Sequence, residues 1–522
     1  MPDKQITEWF SEIESKPRVK PANSERGKVR LKEINRLQTL LRPVDVEELV
    51  PEDHEVRAIW EFVTQLDLHC FYEDIRAVEG VAGREATDPR LMVSLWVYAY
   101  KQGISSAREI SRLCEYDPAF LWLTGCQSIN YHTLADFRVD HKTGLDELFK
   151  NILGLLSLEG LITLERVMHD GTKVKANASD KSFRREARLR EHLKQAEEQV
   201  AAMGDPMTSA ETAPRVRAAR QRAAREREEH LKKALEELEK VRQRKETKAQ
   251  EAQARASETD PEARVMKDGH GGYAPSYNVQ VSTDAKAGAI VGIEPIQSPA
   301  DYGELGTAMD QLEQNCDQKA GQVVADGGYT DRETIVEMSE RGIDFVGSIK
   351  SNDVYVAAGL RGCGIDEAFG PAAFRFEQDA NHMVCPSGKT LSYEGQTSGK
   401  GQTEFRYRAK LTDCRACPFQ SKCCPRGSRN GRMVIRRIEA DAVVAFREKM
   451  GTDEAKKIYR QRAPVAEFSN LWLKEKIGLR QFRVRGKIKV RMEGMWAAMT
   501  RNIQIWIAQK WRPRWVLAGV TT

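Results

Sequence analysis

The chain has 522 residues, 40% of them hydrophobic and 30% charged, with a net charge of +5 and a mean hydropathy of −0.57. That length exceeds what one ordinary core uses and predicts roughly two to four domains. The start Met1-Pro2-Asp3-Lys4-Gln5 has no apolar signal core, and the longest apolar run, around Leu91 to Tyr100, is far too short for a bilayer. Together these features predict a soluble, cytoplasmic protein with no membrane partner.

Residues 1–45 are polar and basic and predict an N-terminal arm. Residues 46–155 carry apolar side chains at helical spacing: Ile59, Trp60, Phe62, Val63 and Leu66, then Leu91, Met92, Leu95, Trp96 and Ala99. Ser105 or Ser106, Asp117-Pro118 and Asn130 are helix-start signals. Short helices joined by tight turns fit a helix-turn-helix-like DNA-binding domain, and equally a small bundle that binds nothing.

After Gly160 the period changes. Arg166 to Thr172 reads as a strand ending in Asp170-Gly171, followed much later by strands at Tyr277 to Ser282 and Ala289 to Ile293. A helix around Leu305 to Leu312 leads to Gln322-Val323-Val324-Ala325-Asp326, and a helix from Asp331 to Arg341 precedes the strand Phe345 to Ile349. Strands followed by helices, with acids at strand ends, predict an α/β sheet with its ligands at the carboxyl edge. This α/β domain is expected over 160–350 and 438–512, with two insertions.

The first insertion, 180–260, is almost entirely Lys, Arg, Glu, Gln and Ala, broken by Gly204-Asp205-Pro206. It predicts a charged helical hairpin or coiled coil, serving either as a dimerisation or DNA-tracking arm or as a solvated spacer. The second, 352–435, holds Cys385, Cys414, Cys417, Cys423 and Cys424. Cys385-Pro386-Ser387-Gly388 resembles half of a zinc knuckle but carries one cysteine rather than two, and Cys414-Arg415-Ala416-Cys417 is a CxxC. Tetrahedral zinc takes four N or S ligands, with Zn–S at about 2.3 Å. Cys385, Cys414, Cys417 and Cys423 (or, in its place, Cys424) are therefore candidate ligands of one structural Zn²⁺, with reduced structural thiols as the alternative.

Further on, Tyr459 to Lys474 places Glu467 among basic and aromatic residues. On a helix, Glu467, Leu471 and Lys474 share a face. From Arg480 to Arg491 the chain carries six basic residues and no acid, a footprint suited to a polyanion. Charges alternate there with Val484, Ile488 and Val490, which allows a basic strand before a helix that begins near Gly486. The run Met492, Met495, Trp496, Met499, Ile503 and Trp506 is a core helix.

Asp170 and Asp326 each end an apolar run and precede glycine, and Glu467 is delivered by a later helix. Three acids held together repel unless cations neutralise them. Two Mg²⁺ or Mn²⁺ ions, roughly 3.5–4 Å apart, would suit oxygen-only ligation and promote displacement at phosphorus.

Asp170-Gly171-Thr172-Lys173, Ala325-Asp326-Gly327-Gly328-Tyr329 and the series Tyr459, Arg462, Glu467, Lys474 resemble the bacterial DDE insertion-sequence transposases, in particular the insertion sequence 1182 group. Asp260 to Arg264, Tyr277 to Gln280, Pro51 to His54, Leu91 to Tyr100 and Thr133 to Arg138 share in that resemblance. In the wider group three residues usually separate the arginine from the glutamate, whereas four separate Arg462 from Glu467 here.

The resemblance implies an RNase H-like catalytic domain interrupted before its final helix. Asp170, Asp326 and Glu467 would hold two Mg²⁺ (or Mn²⁺) ions. The expected activity cleaves the element at its terminal inverted repeats and joins the 3′-OH to target DNA. Tyr459, Arg462 and Lys474 are expected to grip phosphates near the scissile bond. Arg480, Arg483, Arg485, Lys487, Lys489 and Arg491 are expected to track double-stranded DNA. Pairing two ends implies a homodimer in the synapse, acting on the bacterial nucleoid. A metal-dependent nuclease that stops at hydrolysis, or a non-catalytic DNA-binding derivative, are the alternatives.

Overall fold

The computed structural model describes residues 43–517, apart from residues 79, 81–84, 204–213, 246, 268–270, 349–358, 400 and 426–429. Residues 1–42, nearly all of the expected arm, lie outside the described residues. Val46–Thr522 form one compact unit.

The N-terminal part is helical, and its helix starts follow from local chemistry. Ser106 Oγ accepts from the Glu109 N–H, Asp117 Oδ1 from those of Ala119 and Phe120, and Asn130 Oδ1 from that of His132. Such caps satisfy donors that the first turn leaves without partners. The helices so begun are Ala107–Leu113, Pro118–Thr124 and Tyr131–Asp140. Helices Glu55–Thr64 and Pro89–Lys101 bury Ile59, Phe62, Val63, Leu95 and Trp96 in the shared core.

The described residues contain a six-stranded mixed sheet. Its strands are β1 (Arg166–Lys175), β2 (Arg264–Lys267), β3 (Tyr273–Asp284), β4 (Ile290–Ile296), β5 (Gln322–Val324) and β6 (Asp344–Val346). Central β1 runs antiparallel to β3 on one side and parallel to β5 on the other; β6 is parallel to β5. Beyond β3 lie β2 and β4, which pair with its first and later residues respectively. The path is thus β2-β3-β1-β5-β6, with β4 paired to β3 off this path. Asp170 does not end its strand, as the Asp-Gly signal suggests. The long partner β3 continues the ladder to Lys175↔Ser276, so Asp170 sits mid-strand opposite Val281.

The charged segment folds back on itself as helices Glu186–Met203 and Pro214–Gln243. Arg242 pairs with Glu186 at one end, and Gln221 reaches the Met203 carbonyl at the other, which makes the pair antiparallel. Leu189, Ala196, Leu231, Ala234 and Leu238 give it an apolar seam. Glu237, nearly fully buried, accepts from Arg264 and Gln297 and pins the hairpin to the edge of the sheet. At this root a buried carboxylate is held by specific partners.

Between β6 and the next long helix, Asp441–Gly451, stands a second sheet, five-stranded and antiparallel, formed by strands between Arg375 and Glu439. Phe374, Met383, Leu391, Tyr407 and Val434 form its own small core. The C-terminal helix Lys487–Trp506 starts after Gly486, whose φ of 85° lies in the left-handed region that favours glycine. Residues Val484 to Arg491 thus form a loop and a first helical turn rather than a basic strand.

That last helix ties bundle to sheet. Trp496 Nε1 donates to the Arg138 carbonyl, and Asn502 exchanges two hydrogen bonds with the backbone of Ile290 in β4. No helix among the described residues is long and apolar enough to cross a membrane.

Candidate active site

Two aspartates reach the same height because of strand register. In the parallel pair β1 and β5, Met168 faces Val324. Asp170 lies two residues further along β1, on the face of Met168, and Asp326 lies two residues past Val324, where the turn after β5 begins. On that face Met168, Val324 and Val346 pack under Ala466, the residue before Glu467. Residues far apart in sequence thereby share one edge of the sheet.

Helix Asp453–Arg460 enters this edge, and a π-helical turn, Ala463–Glu467, joins it to helix Phe468–Glu475. Pro464 lies at the start of the turn. Proline lacks an N–H and its ring crowds the carbonyl a turn earlier, which is a physical cause for widening the helix there. The wider turn takes up the extra residue between Arg462 and Glu467. Arg462 Nη2 stands 3.8 Å from Glu467 Oε1, and its Nη1 stands 3.6 Å from Asp170 Oδ2. One guanidinium therefore bridges the first and third predicted acids.

Burial differs sharply among them. The side chain of Asp170 is 16% exposed and that of Arg462 15%, whereas Glu467 is 64% exposed. Burial pushes the Asp170 carboxyl up to about 6; Arg462 opposes the rise, and the charges of Asp326 and Asp301 add to it. Asp170 also accepts from its neighbour's Gly171 N–H and from Asn470 Nδ2 at 3.1 Å. Asp326 lies in the tight turn after β5, accepting the Gly328 N–H at 2.7 Å on Oδ1 and Thr330 Oγ1 on its carbonyl. A side chain at Gly328 would begin 2.9 Å from Asp326 Oδ1.

The remaining predicted residues divide. Tyr459 is half-buried and packs with Val465 against the small core under the acids. Lys474 lies on the helix that follows Glu467, partly buried. Arg480, Arg483, Arg485 and Lys489 are exposed. Arg480 pairs with Glu475, Arg483 Nε contacts Ser105 Oγ, and Arg485 Nε donates to the Asn177 carbonyl. Lys487 pairs with Glu294 at 3.1 Å, and Arg491 pairs with Asp146 at 2.6 Å and Glu294 at 2.9 Å.

Cys385, Cys414, Cys417, Cys423 and Cys424 line one cavity of about 40 Å³. The Lys389 and Arg432 N–H groups donate to the sulfurs of Cys385 and Cys414 at 3.3 Å. All ten cysteines are free. Among the described residues, no three His, Cys, Asp or Glu side chains are grouped so as to hold a metal ion, at the acids or at the thiols.

Several residues at the acidic edge escaped the sequence pattern: Asp301, His169, Asn278, Gln280 and Asn470. A signal existed for the strand members. Asn278, Gln280 and Ser282 alternate with Tyr277, Val279 and Val281 on a strand buried on both faces. A polar stripe on a buried strand demands partners. Nothing in the local sequence marks Asp301.

The fold and site are those of a mixed α/β protein with carboxylates gathered at one sheet edge under an arginine. Residues 384–506 match the family model described as Transposase DDE domain, and residues 44–140 match the one described as Transposase domain (DUF772). These matches support a DDE-type transposase. Glu467 falls inside the first match; Asp170 and Asp326 precede it. A solved structure, the cryo-EM structure of a piggyBac transposase synaptic complex with hairpin DNA, is similar at 10% identity. It covers 87% of this chain and 74% of that chain, with a TM-score of 0.30. No curated protein matches the chain.

Proposed function

We propose that this chain is a DNA transposase of the insertion sequence 1182 group, and that Asp170, Asp326 and Glu467 form its catalytic acids on an RNase H-like sheet. The observation that carries this reading is the Arg462 bridge between Asp170 and Glu467, built from two distant segments of the chain. The strand path and directions also support it: a central strand with antiparallel partners to one side and parallel partners to the other. In this reading the helical hairpin and the second sheet are insertions into the catalytic domain.

The donor set fits a hard divalent cation. It consists of oxygens, and burial together with neighbouring acids leaves Asp170 short of positive charge despite Arg462. When bound, two Mg²⁺ or Mn²⁺ ions would supply Lewis-acid activation of the attacking oxygen and neutralise the leaving one. The chain's own residues orient the reaction. Arg462 fixes Asp170 and holds Glu467 near the edge, while Tyr459 and Lys474 contact phosphates beside the scissile bond.

Exposed Arg480, Arg483, Arg485 and Lys489 follow the DNA backbone, so affinity falls steeply with salt. Lys487 and Arg491, held by Glu294 and Asp146, add to the field rather than to direct contacts. The thiols of Cys385, Cys414, Cys417 and Cys423 share one cavity, which supports a structural zinc there. Two element ends require a homodimeric synapse on double-stranded DNA, in the bacterial cytoplasm.

The test is strand transfer with precut element ends, target DNA and Mg²⁺. Joining is expected, and Glu467→Gln should abolish it. Cleavage without joining would leave a nuclease; unchanged cleavage by Glu467→Gln would remove the catalytic assignment.

A further inference from the structure

The polar stripe of β3 leads to a carboxylate that the predicted triad omits. Asp301 follows β4 in a loop, and its Oδ1 accepts Asn278 Nδ2 at 2.7 Å and Gln280 Nε2 at 2.9 Å. The orientation of the Gln280 amide is fixed by its neighbours. A carboxylate cannot donate, so Nε2 faces Asp301 and Oε1 faces away. Oε1 accepts from the Tyr329 hydroxyl at 2.5 Å and lies 3.0 Å from His169 Nε2.

His169 is completely buried between Ser282 and Gln280. An amide oxygen only accepts, so His169 Nε2–H donates to Gln280 Oε1, and Nδ1 lies 2.9 Å from Ser282 Oγ. Ser282, His169, Gln280 and Asn278 thus form a rigid polar mount behind Asp301. Such second-layer hydrogen bonding is how ligating groups are commonly held in orientation.

The mount aims Asp301 at the acidic edge. A Cβ at Gly171 would sit 2.5 Å from Asp301 Oδ1, and a Cβ at Gly328 would sit 3.6 Å from Asp301 Oδ2. Asp301 thus occupies the space left by the glycines that follow Asp170 and Asp326. The same Cβ at Gly171 would sit 2.8 Å from the Tyr329 hydroxyl, so Asp301 and Tyr329 both close on the glycine that follows Asp170. Among the described residues, Asp301 has no lysine or arginine partner.

A separate observation points to a ligand. Asn470 is only 8% exposed; its Nδ2 holds Asp170, while its Oδ1 is buried without a hydrogen-bond partner. A buried acceptor without a partner on the side chain that holds Asp170 is an oxygen available to a ligand at this edge.

We propose that Asp301 is a further carboxylate of the divalent-cation site, mounted by Asn278 and Gln280 beside Asp170 and Asp326. The inference rests on the cation-dependent reading above and deepens it: the cation is drawn toward the mounted, inner side of the edge, opposite exposed Glu467. The probe is Mn²⁺ alone, titrated into the full chain and followed by electron paramagnetic resonance, with thermal melting as the control for folding.

Asp301→Asn keeps an acceptor for Asn278 and Gln280 while removing the charge, and should weaken Mn²⁺ about tenfold or more with an unchanged melt. If that variant does not melt cooperatively, Asp301→Ser replaces it with the same expectation. Asp170→Asn is the reference for the underlying reading. Weakened binding in Asp170→Asn with wild-type affinity in Asp301→Asn overturns this inference alone. No Mn²⁺ binding by the wild type, or binding indifferent to Asp170→Asn, overturns the inference together with the cation reading itself.

Discussion

Asp170→Asn offers a measurement that tests the electrostatics of the site without any DNA. Burial and nearby acids raise the Asp170 carboxyl from 3.8 to about 6. That rise is about two units, and each unit is worth about 1.4 kcal/mol, so holding Asp170 ionised costs the fold about 3 kcal/mol. The sign follows from which state binds the proton more tightly. Below about pH 4 the acid is protonated in both states and the cost is absent. It grows as pH rises from about 4 to 6 and is complete above about 6.

Asparagine removes the charge but keeps only one acceptor oxygen, so one of the two donors, the Gly171 N–H on Oδ1 or Asn470 Nδ2 on Oδ2, loses its partner. It also gives up the attraction to Arg462 at 3.6 Å, and both losses offset part of the gain. Urea unfolding in the presence of a chelator should show Asp170→Asn more stable than the wild type by about 1–3 kcal/mol at pH 8. The gap should close near pH 4, and excess Mg²⁺ should narrow it at pH 8 by stabilising only the wild type. A gap that does not depend on pH, or a wild type that is the more stable at pH 8 in chelator, would refute the reasoning.

Three further outcomes are expected. Gly171→Ala places a methyl 2.5 Å from Asp301 Oδ1 and 2.8 Å from both Gln280 Nε2 and the Tyr329 hydroxyl. It should cost about 1–3 kcal/mol in thermal unfolding and abolish DNA cleavage, and a neutral melt would contradict the close approach. Arg138 stands 3.9 Å from fully buried Glu493, so Arg138→Ala should destabilise by about 3–5 kcal/mol, with partial recovery on adding Glu493→Gln. Metal analysis of protein purified without chelator should find about one zinc per chain, lost on Cys417→Ser, if the thiols at the shared cavity are ligands. Finding no zinc would leave them as reduced structural cysteines.

Much of this molecule is written in neighbouring residues. Ser106, Asp117 and Asn130 announce their helices because a cap and the N–H it satisfies are only two or three positions apart. Asp170, Asp326 and Glu467 stand out because apolar runs, glycines and flanking cations are local patterns. The charged hairpin shows itself through the spacing of Leu189, Leu231 and Leu238, although its buried root at Glu237 does not.

Convergence is another matter. Asp170 and Asp326 reach one height only because β1 and β5 pair with Met168 opposite Val324, and register is a property of two strands rather than one. The length of β3 carries β1 past its Asp-Gly, which a reading of β1 alone ends too early. The spacing of Arg462 departs from the wider group's pattern until the π-helical turn at Pro464 returns it to Glu467.

The sequence by itself thus determined the helical start, the α/β character and the acids worth watching, since propensity, capping and burial patterns act over a few residues. Tertiary structure alone decided which acids meet. Asp301 gains its meaning from amides on β3 and from the room beside two glycines, none of them its sequence neighbours, because a site is fixed by packing across strands and not by the order of the chain.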